Sequence, residues 1–403
     1  SMRIPSPLAA VLCALSACGG TSAPFDTDGD GIISPAEAAA APEHDGADKQ
    51  FVEGRDYVVL ERLRVIDPSG FAQPMEAYSI LIPKGWKSQG GITWQVGHPC
   101  MTEVIRNRVT ATSPDGRFEL NIYPAQQWDW WDDQMMLQAM YQNAQNPLTR
   151  RCAIAQPMEA GQFLQGPLAQ EMGAEVVKVE PAEELTQVML QQAAANNQAM
   201  RDAGVQIEYR PSAALGELRY PDGSGGVALA SIPVQVSWMP NYLTGGQSAS
   251  YSSTCLQKVA LKCPAGQEAE ARKLLSTIMS SFRVNPEWQA GVSQMVRNVA
   301  AMEQRETRKR AQIQQETNAY ISELRQRTWE ESQASRDRTA ETWGQLLRGV
   351  ETWNDEQGGR VELNAGYNEA WSRPDGTYIL SNDPLFDPNV VLKENWTKLK
   401  KDQ

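Results

Sequence analysis

The sequence predicts an α+β fold: an antiparallel sheet with covering helices, then a long α-helix or helical hairpin, then a small β-rich tail. Three observations carry this. Residues 57–283 alternate short apolar runs with Pro, Gly, Asp and Ser turn chemistry. Apolar residues fall at helical spacing in only a few places within that stretch. Beyond it, no proline occurs from Glu287 to Arg373, and Trp288, Val292, Met295, Val299 and Met302 form a heptad seam.

The elements follow in order. Residues 57–65 read as a strand, and so do 76–82, stopped by Pro83-Lys84-Gly85. Strands at 91–96, 106–112 and 118–123 come next. The last two are joined by the turn Ser113-Pro114-Asp115-Gly116. Residues 181–203 are helical, with Leu185, Val188, Met189 and Ala193 on one face. Strands are expected near 206–220, 226–239 and 250–261. A helix over 267–282 places Ala271, Leu274, Leu275 and Ile278 together.

Pro286 fits the first turn of a further helix. Its apolar stripe resumes at Ile313, Tyr320, Ile321 and Leu324, then at Trp343, Leu346, Leu347 and Val350. The mixed charge between these groups favours helix–helix contact or solvation. Gly358-Gly359 ends the helix. The tail has strand-like pieces at 360–363 and 377–380. Tyr367, Trp371, Tyr378, Phe386 and Trp396 supply a small aromatic core. The resulting segments are 1–17, 18–54, 55–285, 286–357 and 358–403.

A net charge of -12 argues against nucleic acid as a partner, because phosphate binding needs a basic face. No Gly-x-Ser-x-Gly, P-loop, dinucleotide fingerprint or His-Glu-x-x-His is present. With two histidines, His44 and His98, acid–base work would fall to carboxylates. The densest chemical feature is Trp128-Asp129-Trp130-Trp131-Asp132-Asp133. It reads as a loop stapled to the core by its tryptophans, or as a sugar-stacking platform with carboxylates suited to glycoside hydrolysis.

Near the start, Arg3 and a short apolar run precede Leu15-Ser16-Ala17-Cys18-Gly19. This resembles a bacterial lipoprotein signal. The resemblance implies cleavage before Cys18, a covalent lipid on its thiol, and anchorage in the cell envelope. Gly19, in place of a retaining Asp, points to the outer membrane. Cys13 then leaves with the signal. Cys100, Cys152, Cys255 and Cys263 remain in an oxidising compartment, where two disulfides are expected. A Cys255–Cys263 pair is disfavoured, because one strand between them would hold the thiols far apart.

Asp26-Thr27-Asp28-Gly29-Asp30-Gly31-Ile32-Ile33-Ser34-Pro35-Ala36-Glu37 resembles an EF-hand loop. The ligands would be Asp26, Asp28, Asp30, the Ile32 carbonyl, Ser34 and bidentate Glu37. No second loop pairs with it, so a weak calcium site of about 10⁻⁴–10⁻³ M is expected. Ser79-Ile80-Leu81-Ile82-Pro83-Lys84-Gly85-Trp86 and Leu274-Leu275-Ser276-Thr277-Ile278-Met279-Ser280-Ser281-Phe282 resemble the two ends of PsbP-like domains. That resemblance implies a largely non-catalytic binding or assembly module over about 200 residues, and it carries over no site residue.

The expected function is therefore a non-enzymatic, membrane-anchored envelope lipoprotein with a calcium-binding tether. Its helical arm, 286–357, would serve a protein partner or self-association. The alternative is a carbohydrate-binding protein or hydrolase using Trp128, Trp130 and Trp131 with their neighbouring carboxylates.

Overall fold

Val227 through Ile232 are buried at every position, so the strand that carries them needs cover on both faces. That strand is the spine of the structure. The structure is a computed structural model. It describes residues 50–402 apart from 69–70, 72, 96, 147–150, 203, 205, 242–244, 303–349 and 356–358.

In chain order the first elements are β1 (Tyr57–Asp67), β2 (Met75–Pro83), β3 (Lys87–Trp94), β4 (Ile105–Thr112), β5 (Glu119–Tyr123) and β6 (Gln126–Trp131). Next come α1 (Gln134–Ala144), β7 (Ala153–Ile154), α2 (Ala160–Phe163), α3 (Ala169–Met172), β8 (Glu175–Pro181) and α4 (Glu183–Asp202). A π-helical turn, Leu164–Leu168, joins α2 to α3. The chain continues with β9 (Ile207–Arg219), β10 (Gly225–Asn241), β11 (Gly246–Cys255), β12 (Gln257–Cys263), α5 (Glu268–Ser280), β13 (Arg283–Val284) and α6 (Pro286–Met302). It closes with β14 (Val350–Asn354), β15 (Arg360–Asn364), β16 (Glu369–Ser372), β17 (Tyr378–Ser381), α7 (Pro388–Val391), β18 (Thr397–Lys398) and β19 (Lys400–Lys401).

The largest sheet has ten strands. The β10 strand pairs β9 along one edge. Along the other it pairs β12 over Gly225–Ser231 and β11 over Val234–Asn241. Between the pairs Ser231–Gln257 and Val234–Ser253, the β11–β12 side contains one residue more. The expected strand at 250–261 is thus a single strand broken by a bulge at Leu256, whose side chain is exposed. The pair β5–β6 runs alongside it in the same way, and β4 and β3 follow beyond β5.

The two faces of this sheet are closed differently. On one face Leu120, Ile122, Leu215, Leu229, Val259 and Leu261 meet α4, α5 and the apolar side of β2. On the other, Ala214, Ala228, Ala230 and Ala260 meet Phe163, Leu164 and Leu168 of the α2–α3 strap. Small side chains let the strap sit close. A Cβ at Gly216 would lie 2.5 Å from Leu164 Cδ2, so any larger residue there must displace the Leu164 side chain. Pro167 sits inside the strap, in the π turn.

A six-stranded sheet runs β13-β2-β1-β17-β16-β18, and β14, β15 and β19 form a third. The tail residues therefore complete a sheet begun by β1: Tyr57 pairs Ser381, and Tyr57 stacks on Phe386 at 4.6 Å. Tyr367, Trp371, Tyr378, Phe386 and Trp396 join clusters shared with Leu60, Leu81, Tyr57 and Val59. The aromatic core expected of the tail forms only with strands from the N-terminal part.

Residues 286–357 differ from the expected arm. The helix from Pro286 is described to Met302, and 303–349 lie outside the described residues. Val350–Asn354, expected to be helical, is a strand held between β15 and β19. Backbone partners downstream in the chain override the helical spacing there. Gly359 turns the chain between two strands, its N–H donating to Asp355 Oδ1. Trp288, the first residue of the heptad seam, packs against the main core, and its Nε1 donates to buried Asp67 at 2.8 Å. Among the described residues no helix is long and apolar enough to cross a membrane.

Candidate binding site

The Trp-Asp run is not a loop. Its first four residues lie in β6, which pairs β11, with Asp132 and Asp133 just after the strand, and period-two alternation separates the side chains. Trp128 is 2% exposed, stacks on Phe163 at 5.1 Å, and donates from Nε1 to the Gln156 carbonyl. It is part of the core under the strap. Trp130, two residues on, shares that face but lies beyond the strap and is half-buried. Trp131 points to the opposite face. The three expected stacking residues are therefore not brought together.

The carboxylates are separated too. Asp133 caps α1, accepting from the Met136 N–H, and also accepts from Asn241 Nδ2 at 2.7 Å. Asp129 accepts from Gln127 Nε2 on the face away from Trp130. Asp132 accepts from the Tyr251 hydroxyl at 3.1 Å.

What gathers around Trp130 comes from other strands. Its direct partner on β11 is Tyr251, whose own partner on β10 is Val236. Cross-strand partners share a face, with Cβ atoms about 5 Å apart. Trp238, two residues along β10, carries the Arg210 guanidinium 5.6 Å from its ring centroid. Arg210 also bonds Glu208 at 2.9 Å, and this carboxylate raises its pKa. Partial burial, and then the charge of Asp132, raise the Tyr251 hydroxyl. The result is an open sheet end lined by Trp130, Tyr251 and Trp238, with Asp132, Glu208 and Arg210 at its margin. Sequence reading found only Trp130 and Asp132. The alternation Val234, Val236, Trp238 signals the shared face, but nothing in the sequence signals which strand lies beside it.

A second cluster sits where the strap ends. Lys258 is 3% exposed, and its Nζ lies 2.7 Å from Glu171 Oε2. Arg108 reaches the other oxygen of Glu171 at 3.3 Å and lies over the Tyr123 ring. Burial, and then the Glu171 charge, push Tyr123 up to about 12. These residues clamp α3 to the sheet. Outside the clamp, between Gln165, Pro167, Gln170, Gly173 and Tyr220, lies a shallow groove of about 970 Å³.

Of the four cysteines, Cys100 and Cys152 form a disulfide. Cys255 and Cys263 are free and buried, so the expected second bridge is absent. They belong to clusters on opposite faces of the sheet, Cys255 under the strap and Cys263 in the main core. Burial pushes Cys255 up to about 12, against the opposing charge of Lys258, and Cys263 up to about 11. The His98 ring accepts from the Cys100 N–H, and the disulfide removes the thiol from any Cys–His chemistry. Cys18, His44 and the calcium-loop residues Asp26, Asp28, Asp30, Ile32, Ser34 and Glu37 lie outside the described residues.

Residues 79–86 and 274–282 meet in space. The Leu81 N–H donates to Ser281 Oγ at 2.7 Å, and Tyr78 stacks on Phe282 at 4.5 Å. No family model matches the chain, and no curated protein or solved structure matches it.

Proposed function

We propose that this chain is a non-catalytic binding module of the cell envelope. A lipid on Cys18 holds it to a membrane, and a calcium-responsive loop at Asp26–Glu37 forms part of the tether. The observation that carries the binding role is the open sheet end, where half-buried Trp130, Tyr251 and Trp238 share one face with few hydrogen-bonding groups at its margin. The Cys100–Cys152 disulfide supports an oxidising compartment. A protein partner or second copy engaged by residues from Pro286 onward belongs to the same proposal.

In-cell crosslinking with mass spectrometry on the membrane-bound protein tests it. Reproducible links to another molecule from β9–β11 or from residues after Pro286 are the expected result. Links confined to the chain itself, with equal membrane retention of Cys18→Ala, would remove both the binding role and the anchor.

A further inference from the structure

We infer that the open sheet end binds a neutral saccharide, stacked on Trp130 and Tyr251 and hydrogen-bonded by Asp132. The inference rests on the binding-module reading and names its ligand class. Trp130 and Tyr251 are direct cross-strand partners, so both side chains leave the sheet on the same face, from neighbouring strands. A pyranose presents a flat C–H face to such rings and a rim of hydroxyls to groups around them. The rim here is Asp132, fixed by the Tyr251 hydroxyl, and Arg210, fixed by Glu208 and by the Trp238 ring. These groups are held before any ligand arrives, which lowers the ordering cost of binding.

Charge selects within the saccharides. Asp132, Glu208 and Arg210 leave no basic excess on this face, so a phosphorylated, sulfated or nucleic-acid ligand lacks the cations it needs. The Arg210 guanidinium already occupies one face of Trp238, which leaves Trp130 and Tyr251 as the platform.

The test uses the full chain and two immobilised probes, the linear tetramers of glucose and of N-acetylglucosamine. At least one tetramer is expected to be retained. Trp130→Ala and Tyr251→Ala each weaken retention about tenfold. Tyr251→Phe loses less, because it keeps the ring. Trp131→Ala, on the opposite face, binds as the parent does. Matched thermal unfolding curves show that the variants fold. No retention of either tetramer overturns the inference, and so does equal loss in Trp131→Ala and Trp130→Ala. If neither tetramer binds while crosslinks to a protein persist, the saccharide falls and the binding module stands.

Discussion

On one face of the ten-stranded sheet, Leu120, Leu229 and Leu261 are sealed by α4, α5 and a second sheet. On the other, Trp128, Ala214 and Ala228 are sealed by one short strap with a π turn at its middle. The first face has area to spare. The second relies on close approach over glycine and alanine, and on a buried charge clamp at its end. Because the strap is short, that face is left open at Trp130 and Tyr251. The economical cover and the candidate site are one feature seen from two sides.

Substitutions can break or sharpen this comparison. Leu229→Ala, in the thickly covered face, is expected to cost about 3–5 kcal/mol in chemical denaturation. A cost below 1 kcal/mol would mean that this face is loosely packed. Glu171→Ala should cost about 2–3 kcal/mol, since it leaves Lys258 charged and buried; Lys258→Met should cost clearly less. Equal costs would mean that the clamp is held by packing rather than charge. Gly216→Ala is expected to cost about 1–3 kcal/mol by pushing Leu164 outward, which a neutral substitution would contradict.

The two thiols compare the faces by pH. Their folded pKa values lie above the unfolded value of 9.0, so the neutral form is the one the fold prefers. Their contribution is full below pH 9 and is lost as pH rises through about 11 for Cys263 and about 12 for Cys255. Native alkylation at pH 8 should leave both unlabelled, and rapid labelling of Cys255 alone would show that the strap opens. The smallest effect is expected at Trp130→Ala, whose stability should stay within about 0.5 kcal/mol of the parent. A larger loss would place Trp130 in the core with Trp128.

Much of the main sheet was legible. The turn at Ser113–Gly116, helices α4 and α5, and strands β9 and β10 follow from turn chemistry and apolar spacing. The strap was not legible, because Pro167 reads as a helix breaker, and a π turn accommodates it. Strand β6 was hidden by its own density of Trp and Asp, which suggests a site before it suggests alternation. Lys258 and Lys262 share one face of β12, yet only Lys258 lies under α3. Which of two lysines is buried depends on where a distant helix ends. Strand β14 was misread because its partners come later in the chain. The candidate site draws its lining and margin together from β6, β9, β10 and β11, and only β6 carries a sequence signal for it.

The pairing of β1 with β17 sets an order of events. One edge of β1 stays unsatisfied until Tyr378–Ser381 have been synthesised, after which Ser381 Oγ bonds the Asp56 carbonyl at 2.6 Å. A chain still emerging from the ribosome therefore cannot complete this pairing. Any truncation ahead of Tyr378 leaves that edge of β1 bare and open to aggregation.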